Sequence, residues 1–83
     1  MSWKIVNNRL TKEFSFKNQT ELATFFLKVA ELSDKNDHHP DVQIRKCSIL
    51  TLELYTHTEN KISELDYSLA KIIDEIVNVS PKN

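Results

Sequence analysis

Asp34-Lys35-Asn36-Asp37-His38-His39-Pro40 decides how this 83-residue chain is read. Pro40 restrains His39 toward extended backbone, because its ring clashes with an α conformation in the residue before it. A helix that reaches this stretch must end in it, at Asn36 and Asp37, and the chain leaves as a strand. The two adjacent histidines then stand on a helix-to-strand corner. Imidazole is the only side chain whose unperturbed pKa, about 6.5, puts its charge change near neutral pH. The corner is therefore also the first candidate for chemistry. The third and last histidine, His57, closes the apolar run that follows, so all three flank one β segment.

Upstream of the corner, Leu22, Phe25, Phe26, Val29 and Ala30 recur at three- and four-residue spacing, an apolar stripe of helical period. Asn18 followed by Glu21 is an Asn version of the capping box, which predicts a helix from about Gln19 to Lys35. Earlier still, Leu10, Phe14 and Phe16 share one side with Lys12, while Thr11, Glu13 and Ser15 take the other. Residues 3–6 and 9–16 are expected as a β-hairpin turning at Asn7-Asn8. The chain has no glycine. Every turn needing positive φ then falls to Asn, Asp or a strained residue.

Downstream, Val42 to Lys46 alternates weakly, and Cys47-Ser48 is the expected turn. Ile49 to His57 alternates well: Leu50, Leu52 and Leu54 meet the helices, while Ile49, Thr51, Glu53, Tyr55 and His57 turn away. Thr58 to Ile62 reads as a loop. Ser63-Glu64-Leu65-Asp66 matches a capping box, with Ser63 at N-cap and Asp66 at N3. Leu65, Leu69, Ile72, Ile73 and Ile76 form a second helical stripe, and Ser80-Pro81 marks its stop. The order β-β-α-β-β-α predicts an α+β fold, a four-stranded antiparallel sheet with two helices on one face.

Residues 1–83 read as a single domain, and a small one. Such a domain buries only roughly 60% of its unfolded surface, so association is a natural supplement. The strand ending at His57 is expected as an uncovered edge that pairs with its own copy. A formal net charge of −1 gives no electrostatic reason to expect nucleic acid or an anionic membrane as partner. Cys47 is the only cysteine, which excludes an intrachain disulfide and suits a reducing compartment. The start does not resemble a signal peptide, and no apolar run approaches the roughly 18 residues of a spanning helix. The expectation is a cytoplasmic protein.

Asp34-x-x-x-His38-His39-Pro40, then Thr56-His57, then Asp66 at a helix start followed by Leu69-Ala70 together resemble the pterin-4a-carbinolamine dehydratases. The resemblance runs from Trp3 to the end of the second helix. It implies a homodimer or homotetramer and a lyase activity, dehydration of 4a-hydroxytetrahydropterin to quinonoid dihydropterin. That step recycles tetrahydrobiopterin for aromatic amino acid hydroxylases and uses no metal or other cofactor. It also implies His38, His39 and His57 as the catalytic set, with Asp34, Pro40 and Asp66 as substrate-binding positions. The chain departs from the family pattern in four places. Cys47 stands where a strand aromatic is usual, with one extra residue before it. Asn60 and Lys61 occupy a region usually rich in glycine. Leu65 precedes Asp66 where relatives often carry a basic residue, and no helix precedes Trp3 as in longer members.

Removing water from a carbinolamine needs a proton delivered to the departing hydroxyl and another taken from N5 of the ring. Well-placed imidazoles suit both tasks, each contributing roughly 10²- to 10⁴-fold. His38 and His57 are the expected acid/base pair, with His39 holding the pterin or sharing the proton work. Each residue also has a reading without chemistry. Histidine at a helix C-terminus complements the dipole, Asp66 is explained as a cap, and Asp34 as a solvated last-turn residue. Cys47 is expected in a turn or in packing, and Phe25-Phe26 in the core. Tyr55 and Glu53 fit a site wall or an outer sheet face equally. No Cys-x-x-Cys or His-x-x-x-His spacing supports a metal site. The alternative from another class is a non-catalytic dimerisation scaffold that keeps this fold and a vestigial pterin site.

Overall fold

The computed structural model describes residues 3–79. β1 (Lys4–Val6) and β2 (Arg9–Ser15) lead into α1 (Gln19–Asn36); β3 (Asp41–Arg45) and β4 (Ile49–Leu54) lead into α2 (Glu64–Val79). The strands form one sheet in the order β1-β2-β4-β3, with every neighbouring pair antiparallel. This is the expected β-β-α-β-β-α arrangement. Register explains the layering. Leu10 lies opposite Leu54 and Phe14 opposite Leu50, so their side chains share a face. Leu22, Phe25 and Val29 of α1 and Leu69, Ala70 and Ile73 of α2 complete one core on that face. Leu50, Leu52 and Leu54 are fully buried.

Lys12 is the exception on the helix-covered face. Its Nζ donates to Asp74 Oδ1 at 2.8 Å, and Trp3 Nε1 donates to the same carboxylate at 3.1 Å. The lysine also lies 5.1 Å from the Phe14 ring centre. A charge pointing toward the core is thus paired with α2 and roofed by aromatic rings.

The structure adjusts the expected end of β4, its place in the sheet and the extent of the β3–β4 turn. β4 stops at Leu54, short of His57. The register sets Pro40, which has no N–H to offer, opposite Leu54 on the β3 side, and β2 has only Arg9 left before the Asn7-Asn8 turn. Thr56 instead bridges to Lys61, its N–H donating to Lys61 O at 3.0 Å and its carbonyl accepting from Lys61 N at 3.3 Å. β4 is also interior: it pairs with both β2 and β3, so the strand leading to His57 is not an edge, and β1 and β3 are. The β3–β4 turn contains the expected Cys47-Ser48 and takes in Lys46 as well, between the paired Arg45 and Ile49, with Lys46 and Cys47 at positive φ (51° and 57°). Its first two residues take the left-handed region that Gly and Asn adopt at least cost.

The remaining turns follow from the missing glycine. Asn7, Asn8, Asp37 and Asn60 take positive φ, as their short polar side chains allow. Asn18 caps α1, its Oδ1 accepting from Glu21 N at 2.9 Å. Ser80-Pro81, the expected stop of α2, lies outside the described residues. No helix among the described residues is long and apolar enough to cross a membrane.

Candidate functional site

Asp37 makes the corner. It closes α1 in the left-handed region (φ 52°, ψ 40°), its N–H turned back to Asp34 O, and the His38 N–H reaches Ser33 O at 3.1 Å. Both interactions satisfy carbonyls that the helix end leaves without partners. Pro40 then commits the chain to β3. His38 and His39 thereby stand between the α1 cap and Pro40, on backbone that cannot continue the helix.

The His38 side chain is 14% exposed, and its Nε2 lies 2.6 Å from Oδ1 of Asp66, which is fully buried. The other oxygen of Asp66, Oδ2, accepts from Thr56 Oγ1 at 2.8 Å and from Ser63 N at 2.9 Å. Thr56 Oγ1 and Ser63 Oγ share a further hydrogen bond of 2.6 Å. One carboxylate therefore joins the corner, the end of β4 and the start of α2. A carboxylate accepts only, so His38 Nε2 donates, and the lone pair of the neutral ring falls on Nδ1. Nδ1 has no partner among the described residues.

His39 pairs with Asp34, Nε2 to Oδ1 at 2.8 Å, and both side chains are more than half exposed. His57 is exposed as well. Its ring meets that of Tyr55 edge to face, with centres 5.2 Å apart. All three histidines line one cleft of about 450 Å³. Asp37 and Pro40 contribute from the corner, Tyr55, Thr56 and Thr58 from the end of β4, and Asp41 and Leu65 from the flanking elements. That volume lies in the range of small-molecule sites. Among the described residues no group of three His, Cys, Asp or Glu side chains is arranged to hold a metal ion.

Of the other expected site residues, Pro40 lines the cleft. Asp34 and Asp66 do not; each stands behind a histidine. The capping reading describes Oδ2 of Asp66, which accepts from Ser63 N at the start of α2, and Oδ1 is turned to His38. Thr56 has a sequence signal that goes with this. Period two puts it on the same inward side as Leu52 and Leu54, and a hydroxyl there needs a buried partner.

The family model described as pterin 4 alpha carbinolamine dehydratase matches residues 1–76. The chain belongs to the pterin-4a-carbinolamine dehydratase family. A relative from Sulfolobus acidocaldarius, provisionally named as that enzyme, is 42% identical over 74 residues, which are 89% of this chain and 80% of the relative. One from Prochlorococcus marinus, named in the same way, is 43% identical over 77 residues, 93% of this chain and 80% of its own. Among solved structures, a transcriptional coactivator/pterin dehydratase from Brucella melitensis superposes with a TM-score of 0.84 at 30% identity, covering 90% of this chain and 81% of that one. A pterin dehydratase-like protein identified as a RuBisCO assembly factor in the alpha-carboxysome gives 0.77 at 22% identity, covering 92% and 89%. That last likeness is one of fold alone.

Proposed function

We propose that this member of the family dehydrates a 4a-hydroxytetrahydropterin to the quinonoid dihydropterin in the cytoplasm, by histidine acid/base catalysis. In that reaction the C4a–O bond breaks, N5 loses its proton, C4a=N5 forms and water leaves. The supporting observation is a cleft of suitable size lined by three imidazoles, one of them backed by a fully buried carboxylate. In this reading His38 takes the N5 proton on Nδ1, because its Nε2–H is already committed to Asp66. The carboxylate offsets the charge the ring acquires. His57 delivers a proton to the departing hydroxyl, and His39, steadied by Asp34, orients the pterin.

The test is the rate of quinonoid dihydropterin formation from a freshly generated 4a-hydroxytetrahydropterin, compared with the spontaneous rate. His38→Ala and His57→Ala should each lose about 10²-fold or more while remaining folded. Near-wild-type turnover in both would overturn the assignment. A folded wild-type protein no faster than the spontaneous reaction would favour the scaffold reading instead.

A further inference from the structure

His38 and His39 each have a carboxylate behind them, whereas the His57 ring has no hydrogen-bond partner among the described residues. It is exposed and lies beyond the last residue of β4, so neither burial nor a sheet ladder fixes its ring. The group that meets it is Tyr55, and Tyr55 is held at two points. Its hydroxyl donates to Asn60 Oδ1 at 2.5 Å. The guanidinium of Arg9 lies 4.9 Å from its ring centre and is itself held by Asp41 at 2.6 Å. Asn60 takes φ 57° and returns its N–H to the carbonyl of His57 at 3.1 Å. Arg9, Tyr55 and Asn60 thus form a brace whose free side is the edge-on contact with His57.

We infer that Tyr55 is a positioning residue for the reaction, setting the ring of His57 through their edge-to-face contact. The inference rests on the proposed role of His57. An aromatic pair of this geometry limits the ring orientations available to each partner. An exposed histidine without it samples several rotamers, of which only some aim a nitrogen at the substrate. Replacing the Tyr55 ring therefore lowers the fraction of molecules poised to react while leaving the pterin's contacts with His38 and His39 in place.

Two measurements test this on the full chain. With imidazole-labelled histidines followed by NMR, Tyr55→Ala should convert His57 from one preferred ring orientation to an averaged set, leaving His38 unchanged. In the dehydration assay Tyr55→Ala should lower kcat about tenfold with KM within about twofold. Tyr55→Phe, which keeps the ring, should stay within about threefold of wild type, and Asn60→Gly, which keeps the left-handed backbone but removes Oδ1, should match it. In a His57→Ala background Tyr55→Ala should cost nothing further. Unchanged His57 signals, a raised KM with intact kcat, or an additive loss in the double variant would each overturn the proposal. Should His57→Ala alone leave turnover intact, the reading of the site fails, and the NMR measurement still decides whether Tyr55 orients that ring.

Discussion

Asp66 is where the chemistry of single residues is most demanding, because its two oxygens are oriented by different parts of the chain. Asparagine in its place keeps the shape and must put its carbonyl toward Ser63 N and Thr56, both of which donate. Its amide group then faces His38 Nε2 as a donor, so the ring has to move its proton to Nδ1. The nitrogen proposed to accept a proton would lose its lone pair. Asp66→Asn is therefore expected to fold, with about 1–3 kcal/mol less stability in urea, and to lose at least about 10²-fold in turnover. A stable variant with full activity would show that the tautomer of His38 is immaterial. Half of this was legible beforehand. Ser63-Glu64-Leu65-Asp66 announces a cap in four residues, but the second use of the carboxylate depends on His38, 28 positions away. Local spacing holds no trace of such a pair.

At the level of elements, the absence of glycine made some conformations legible and concealed others. Asn7, Asn8, Asp37 and Asn60 could be placed in turns because their side chains tolerate the left-handed region. Cys47 fell in the expected Cys47-Ser48 turn, but nothing about lysine or cysteine signals positive φ, so the conformation of Lys46 and Cys47 stayed hidden; the hairpin imposes it. Each such residue costs roughly 1–2 kcal/mol relative to glycine. Replacing Lys46-Cys47 by Asn-Gly should raise unfolding stability by about 1 kcal/mol or more without changing turnover, as both side chains are exposed and neither lines the cleft. A lower stability would mean that Lys46 or Cys47 makes a contact worth more than the backbone relief. The end of β4 was misplaced for a similar reason. Alternation continues through Tyr55 and His57, but a strand also needs partners on its flanks, and Pro40 withdraws one.

Considered whole, the molecule ends in two unequal edges. β1 is three residues long, whereas β3 is exposed along all five of its residues. Val42 and Ile44 of β3 lie opposite Leu52 and Leu50, on the helix-covered side of the sheet. They nevertheless remain 38% and 46% exposed, because neither helix extends over that margin. An unpaired edge carrying uncovered aliphatic side chains is suited to a second copy. Sedimentation of the wild-type chain at micromolar concentration should show a dimer or tetramer, and Ile44→Lys should shift it toward monomer. A wild-type protein that stays monomeric would remove this surface from consideration. Both hairpins were visible in the sequence as alternating runs. That β2 pairs with β4, which puts β3 outside and the strand leading to His57 inside, was not, because either hairpin strand presents the same apolar face to the helices.

The shared use of Asp66 bears on how a gene of this kind would drift if its reaction were no longer needed. Selection for a folded chain alone would still preserve the carboxylate that starts α2, and with it the resting place of His38. Nothing about folding protects an exposed imidazole at position 57. A descendant that had become a pure scaffold would betray itself there while His38 and Asp66 still looked intact.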